Sequence, residues 1–369
     1  MEIKIEAIVE EVKKLKDRSY TTFCSQLINL TRQIESSTML RGPYRLVLDS
    51  NIVMRLESLR QGKVAEGVLS TLLAFFFVKT LPFHIDIVVR PVVFYEFLRL
   101  RNVRNLRDHW QEIKSIKSLV EDSLEVTLFF DGIETYEGAE HYLEMIGRDS
   151  KKIADTLRNY KARDWRFDFM RPPSGYSGFP TNDGRLLVPP FFAAQELYEA
   201  IQLEYFHEPL ARIFFTKHIE RHLAEHPDND MTIIDRFADD TDYLLTKILR
   251  VTTKGNLEGL ADIDVLSICN LQTQFAHQAH GRYAPASIGM SIDENLGRAL
   301  RYYSTLRLTS PQFGGTSDPE ILEQHKAGLE SFIEDQRRFQ EGERRLVSTR
   351  EKLGEFFQRL NSLGIFREP

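Results

Sequence analysis

The stretch YRLVLDSNIVMRLES, residues 44 to 58, decides the fold. Leu46, Val47 and Leu48 form a short apolar run that follows Gly42 and Pro43, which suits a strand covered on both faces. Ser50 or Asn51 then opens a helix that Ile52, Val53, Leu56 and Leu59 continue at helical spacing. Asp49 stands between the two elements. In open α/β sheets ligands collect beyond the carboxyl ends of the strands, so Asp49 is a functional candidate. Its alternative role is to cap the helix, and this stretch alone leaves both open.

Outward from this stretch, more strand-and-helix pairs follow. HIDIVV, residues 84 to 89, reads as a second strand, and Pro91 is placed to begin a helix that runs through Glu96 to Trp110. At about 100° per residue Arg107 falls near the angular position of Glu96, with Arg99 and Arg104 flanking it. That face would either hold phosphates or simply meet solvent. LEVTLFF, 124 to 130, is expected as a third strand, followed by a helix from TYEGAEHYLEMI. ASIGMSID, 286 to 293, is expected as a fourth strand that delivers Asp293, with Asn295 opening the next helix. Before it, GNLEGLADIDVLSICNLQTQFAHQ reads as one helix carrying Asp262 and Asp264 near its start.

The rest of the chain surrounds this pattern. Residues 1–40 form a helical prefix, 41–147 and 256–310 the α/β core, 148–255 a mostly helical insertion, and 311–369 a long C-terminal helix. VLSTLLAFFFV, 68 to 78, is too short to span a bilayer and is expected as a buried helix. The insertion contains the loop MRPPSGYSGFPTNDG and a segment in which Lys151, Lys152, Arg158, Lys161, Arg163 and Arg166 interleave with Tyr160, Trp165 and Phe167. Such a segment either binds a single strand by charge and stacking or packs its rings inside. His218, His222 and His226 share a helix face but lie among charges without an HExxH element, which favours a solvated helix over a zinc site. In the tail, Asp318 and Pro319 open a helix with Phe332, Phe339, Leu346, Leu353 and Leu360 every seven residues. This thin stripe suits a helix lying on the body, or a contact with a second copy or a partner protein.

Composition sets further bounds. With 42% hydrophobic and 28% charged residues the chain has an ordinary soluble balance. Cys24 and Cys269 are far apart, which argues against disulfide or cysteine-zinc chemistry and for a reducing, cytoplasmic setting. The amphipathic start MEIKIEAIVEEVKK is not a signal peptide, and no membrane association is expected. A net charge of −6 means that a nucleic-acid partner would be held only by local basic patches. No Walker loop, GxGxxG or GxSxG element is present, so ATP and serine hydrolysis have no support.

The order of these elements resembles the PIN-domain nucleases. LVLDSNIV is similar to their first strand, with an aspartate and an asparagine two residues later, and PVVFYEF to the helix bearing the second acid. LEVTLFFD is similar to their third strand, LADIDVLSIC to the helix with the third acid, and SIDENL to the strand end with the fourth. The resemblance implies a doubly wound parallel sheet, here with a large helical insertion and added N- and C-terminal helices. It implies that Asp49, Glu96, Asp293 and either Asp262 or Asp264 surround one cleft, where Asp49, Glu96, Asp262 and Asp293 hold Mg²⁺ or Mn²⁺. Asn51 and Asn295 would support the site, and Arg99, Arg104 and Arg107 would meet the substrate. Hard oxygen ligands suit these ions, and metal-bound water needs no side-chain nucleophile to cleave a phosphodiester. The expected function is a metal-dependent endonuclease acting on RNA in preference to DNA, with DNA cleavage left open. The alternative is a catalytically idle PIN-like scaffold that binds a partner protein or nucleic acid.

Overall fold

The computed structural model describes residues 3–100 and 106–162, most of 250–367, and between these only 166–167, 179–180, 186–187 and 203–206. The protein is α/β. Four strands, β1 (Tyr44–Leu48), β2 (Ile85–Val89), β3 (Leu128–Phe130) and β9 (Ala286–Met290), form a parallel sheet in the order β3-β2-β1-β9. Two-residue strands form two small antiparallel ladders: β4 (Arg166–Phe167), β6 (Leu186–Leu187) and β5 (Phe179–Pro180), then β7 (Arg250–Val251) with β8 (Leu257–Glu258). Among the described residues the α-helices are α1 (Ile5–Lys13), α2 (Asp17–Ser36), α3 (Ser50–Arg60), α4 (Glu66–Thr80), α5 (Pro91–Leu100), α6 (Leu106–Leu124), α7 (Tyr136–Ala162), α8 (Leu260–Ile268), α9 (Leu271–Ala279), α10 (Glu294–Tyr303) and α11 (Pro319–Ser362).

The chain divides into two compact units. Unit 1 comprises residues 1–89, 108–129 and 269–369, and unit 2 residues 90–107 and 130–268. In unit 1, β1 is the central strand, and its register decides what meets at the sheet edge. Leu48 lies level with Val89 on one side and with Met290 on the other, so the three strands end together. Each of these strands is buried at four of its five residues, as expected for a sheet covered on both faces. α4 is apolar almost all round because it packs among α1, α2, α3 and α11. Among the described residues no helix is long and apolar enough to cross a membrane.

Three local expectations are corrected. The third strand covers only Leu128–Phe130, because α6 continues to Leu124 and Glu125 then turns with a φ of 53°. The helix expected from Pro91 to Trp110 is two helices, α5 and α6, so Glu96 and Arg107 do not share one helical face. The helix around Asp262 ends at Ile268, and Asn270 begins another by accepting a bond from the Thr273 amide at 3.1 Å.

α11 is fixed to unit 1 through its second half. Gly342 lies against the Met39 carbonyl, Arg345 donates to the carbonyls of Thr38 and Met39 at 3.0 and 2.9 Å, and Phe356 meets Phe77 with ring centroids 5.5 Å apart. A methyl group at Gly342 would run into backbone, whereas Gly354, on the same helix, faces open space. Gly342→Ala is therefore expected to lower the unfolding free energy by about 1–3 kcal/mol through overpacking. Gly354→Ala should raise it by about 0.5–1 kcal/mol. Urea unfolding of both variants checks the opposite signs.

Candidate functional site

In unit 1 the site is built around Asp49, which follows the central strand. Its amide donates to the Met290 carbonyl at 3.0 Å and so extends the β1–β9 pairing by one residue. Asp49 occupies the position before α3, yet its side chain makes no capping bond. That removes the capping role from the two left open by the sequence. Its carboxylate instead accepts from the Ser291 hydroxyl at 2.9 Å, the Asn51 side-chain amide at 3.0 Å and the Ser50 hydroxyl at 3.2 Å. All three donors are neutral, and Asp49 has no solvent exposure. Burial raises its pKa above the ordinary carboxyl value, and the hydroxyl and amide donors offset only part of that rise.

Ser291 joins Asp49 to Asp293. Its hydroxyl donates to Asp49 and accepts from the Asp293 amide at 3.0 Å. Buried Gln33 on α2 holds Ser291 in place by accepting from its amide at 3.0 Å and donating to its carbonyl at 3.2 Å. Asp293 is exposed, and its Oδ1 caps α10 by accepting from the amides of Asn295 and Leu296, both at 2.9 Å. The Asn295 side chain accepts from Arg298 at 2.7 Å. Ser291 and Gln33 escaped the sequence reading; the only sign of the first was its place two residues before Asp293 in SIDENL.

In unit 2 the expected acids have different partners. Glu96, buried on α5, accepts from the amides of Gly259 and Ala261 at 3.2 Å each. Its charge lies at the amino end of α8, where the helix dipole is positive. Asp264 is fully buried on α8 and accepts from Arg90 Nε at 2.9 Å and Nη2 at 3.2 Å. Arg90 also donates through Nη1 to Asp131 at 2.7 Å. Burial lowers the pKa of Arg90, but the charge of Asp264, with the charge interaction of Tyr205 and the hydrogen bonds to Asp264 and Asp131, outweighs it and leaves the pKa raised. Asp262 is half-buried on the same helix. The Tyr205 hydroxyl is buried without a hydrogen-bond partner, and burial followed by the charge of Asp264 pushes its pKa above the phenol range. Asp149 fixes this segment by accepting from the amides of Glu204, Tyr205 and Phe206.

The basic residues divide as well. Arg99 donates to the Leu257 carbonyl, and exposed Arg107 lies over the Tyr136 ring, 5.8 Å from its centroid. Arg104, the histidines at 218, 222 and 226, and most of the basic and aromatic segment after Ala162 fall outside the described residues.

Unit 1 thus brings together Asp49, Asn51 and Asp293, while Glu96, Asp262 and Asp264 belong to unit 2. Within neither unit do three His, Cys, Asp or Glu side chains among the described residues gather closely enough to hold a metal ion by themselves. Mg²⁺ does not require three. It keeps several waters and is commonly held by one or two carboxylates together with substrate phosphates. Asp49 fits that chemistry, being a buried oxygen ligand whose charge meets no cation among its hydrogen-bond partners. Asp264 does not, since a guanidinium already neutralises it. Comparison with protein families, curated proteins and solved structures returns no match for this chain.

The raised pKa of Asp49 has a consequence for stability. Between the ordinary carboxyl pKa and the higher value in the folded protein, the folded state binds more protons than the unfolded one. Stability is therefore lost as pH rises through that window, and the full cost remains above it. Asp49→Asn removes the charge, so in a chelating buffer its melting midpoint at pH 7 should exceed that of the wild type. The difference should vanish below the ordinary carboxyl pKa. Thermal melts from pH 3 to pH 8 check this expectation.

Proposed function

We propose that this chain is a metal-dependent nuclease that hydrolyses phosphodiester bonds, RNA in preference to DNA, with a PIN-like core extended by helices at both ends and by the insertion. The observation that carries the reading is Asp49: a fully buried carboxylate with neutral partners, at the carboxyl end of the central strand of a parallel sheet. That edge is where open α/β sheets collect ligands. Asp49 and Asp293 would hold Mg²⁺ or Mn²⁺, which when bound supplies Lewis acidity and an activated water. The protein's own residues supply orientation. Ser291 and Asn51 fix the Asp49 oxygens, and Gln33 fixes Ser291.

A second reading has its own support. Arg90 closes on Asp264, and Glu96 is spent on the amides of Gly259 and Ala261. Two of the acids that a PIN-like nuclease would use thus serve structural roles, as in a catalytically idle scaffold that binds a partner protein or nucleic acid. The two readings differ in a simple assay.

With Mn²⁺ and labelled single-stranded RNA, the wild type should cleave, and Asp49→Asn and Asp293→Asn should each lower the rate by at least about a hundredfold while keeping a cooperative melt. A wild type that cuts neither RNA nor DNA selects the scaffold, and an Asp49→Asn variant that cuts as well as the wild type overturns the site built on Asp49.

A further inference from the structure

We propose that Arg55 holds a phosphate of a single-stranded nucleic acid, one that neighbours the group reacting at Asp49 and does not itself react. The inference rests on the nuclease reading for the reacting group, while the contact it adds is made by a side chain that reading does not use. α3 opens after Asp49. Asn51, which donates to the Asp49 carboxylate at 3.0 Å, precedes Arg55 by four residues and so lies on the same face of the helix. Helical side chains lean toward the amino end of their helix, which directs Arg55 to the side of the turn that carries Asn51.

Packing fixes where the side chain lies. A methyl group on Gly67, the second residue of α4, would fall 3.0 Å from Arg55 Nε and 3.2 Å from Ile292 Cδ1, so Arg55 and Ile292 flank one point of that helix. Ile292 stands between Ser291, whose hydroxyl donates to Asp49, and Asp293. The guanidinium is thus set beside the segment that closes the site from β9. All of these residues belong to unit 1.

The charge of Arg55 is left available. It is exposed and makes no hydrogen bond or ion pair among the described residues. Other arginines of unit 1 are engaged, Arg41 by Glu341, Arg60 by Glu57 and Arg350 by Glu35. Glu57, the nearest acid to Arg55 on α3, is buried and accepts from Arg60 at 2.8 Å and Gln61 at 2.9 Å, while Asp293 gives an oxygen to the amides of α10. A guanidinium fork matches two phosphate oxygens and is weakly hydrated. Arg55 closes on neither Asp49 nor Asp293, and it lies six residues, about 9 Å along α3, beyond Asp49. The phosphate it meets is therefore displaced from the one at the metal, and the substrate must be a strand with more than one phosphate.

Binding of a labelled single-stranded RNA oligonucleotide to the full chain, followed by fluorescence anisotropy in chelating buffer, tests the contact without turnover. Arg55→Ala should raise Kd by about tenfold at low salt, and the slope of log Kd against log salt should flatten by about 0.7, the value of one phosphate contact on a single strand. Arg55→Lys should keep most of that slope. Arg344→Ala, which removes an exposed arginine from α11, should change neither quantity. With Mn²⁺, Arg55→Ala should lower kcat/KM on RNA by about the same factor and leave hydrolysis of bis(p-nitrophenyl) phosphate, which has one phosphate, at the wild-type rate. Wild-type Kd and slope in Arg55→Ala, a wild type that binds no oligonucleotide, or an equal loss on the small diester would each overturn the inference, even if RNA is cut. A wild type that binds RNA through Arg55 but cuts nothing upholds the contact and counts against the nuclease reading instead.

Discussion

A carboxyl group sealed from water at the end of the central strand must either keep its proton or be matched by positive charge. That constraint acts on Asp49, and much of unit 1 serves to maintain it. The level register of β1, β2 and β9 brings Asp49 and Ser291 to the same edge. Gln33 reaches from α2 to hold the backbone of Ser291, and Gly297 leaves room for the Gln33 amide, which a side chain there would strike at 2.8 Å. Helix α2 in turn packs on α4 and β9, so the prefix is part of the frame of the site.

Of the three fully buried aspartates Asp49, Asp149 and Asp264, Asp149 is met by three backbone amides, and the other two meet the same cost in opposite ways. Asp264 is given a permanent cation in Arg90, with two donors on its oxygens and a third donor on Asp131. Such a pair offsets its own desolvation only when the geometry is good, and loss of one partner from a buried pair costs about 3–5 kcal/mol. Asp49 is given only hydroxyl and amide donors. A satisfied ion pair is an architectural solution, whereas a buried acid with neutral partners leaves its charge available to a ligand. This contrast gives Asp49 more functional weight than Asp264, although both were candidate acids on sequence grounds.

What the sequence made legible is what local pattern controls. The apolar run Leu46–Leu48 with Asp49 at its end, the all-round apolar α4, and the Asp318–Pro319 start of α11 appear as expected, and Asp318 caps through the Glu320 amide at 2.9 Å. Less legible was where regular elements stop. No proline or glycine after Pro91 announces that α5 and α6 are separate helices, and Leu124 fits a helix end as well as a strand start. Partnerships across long separations were not legible at all. Arg90 meets Asp264 across 174 residues and Gln33 meets Ser291 across 258, and neither has a periodicity to reveal it. Glu96 read as a ligand because glutamate near a strand end has two uses, and only the folded chain shows the amides of Gly259 and Ala261 before it.

The central claim, that the buried charge of Asp49 awaits a cation, is tested most directly by titrating the metal-free protein with Mn²⁺ in a calorimeter, in two buffers of different ionisation enthalpy. A metal that binds Asp49 competes with its proton, so the account expects saturable binding accompanied by a proton release that grows as pH falls, both lost in Asp49→Asn. Absence of binding at millimolar Mn²⁺, or equal binding by Asp49→Asn, would contradict it.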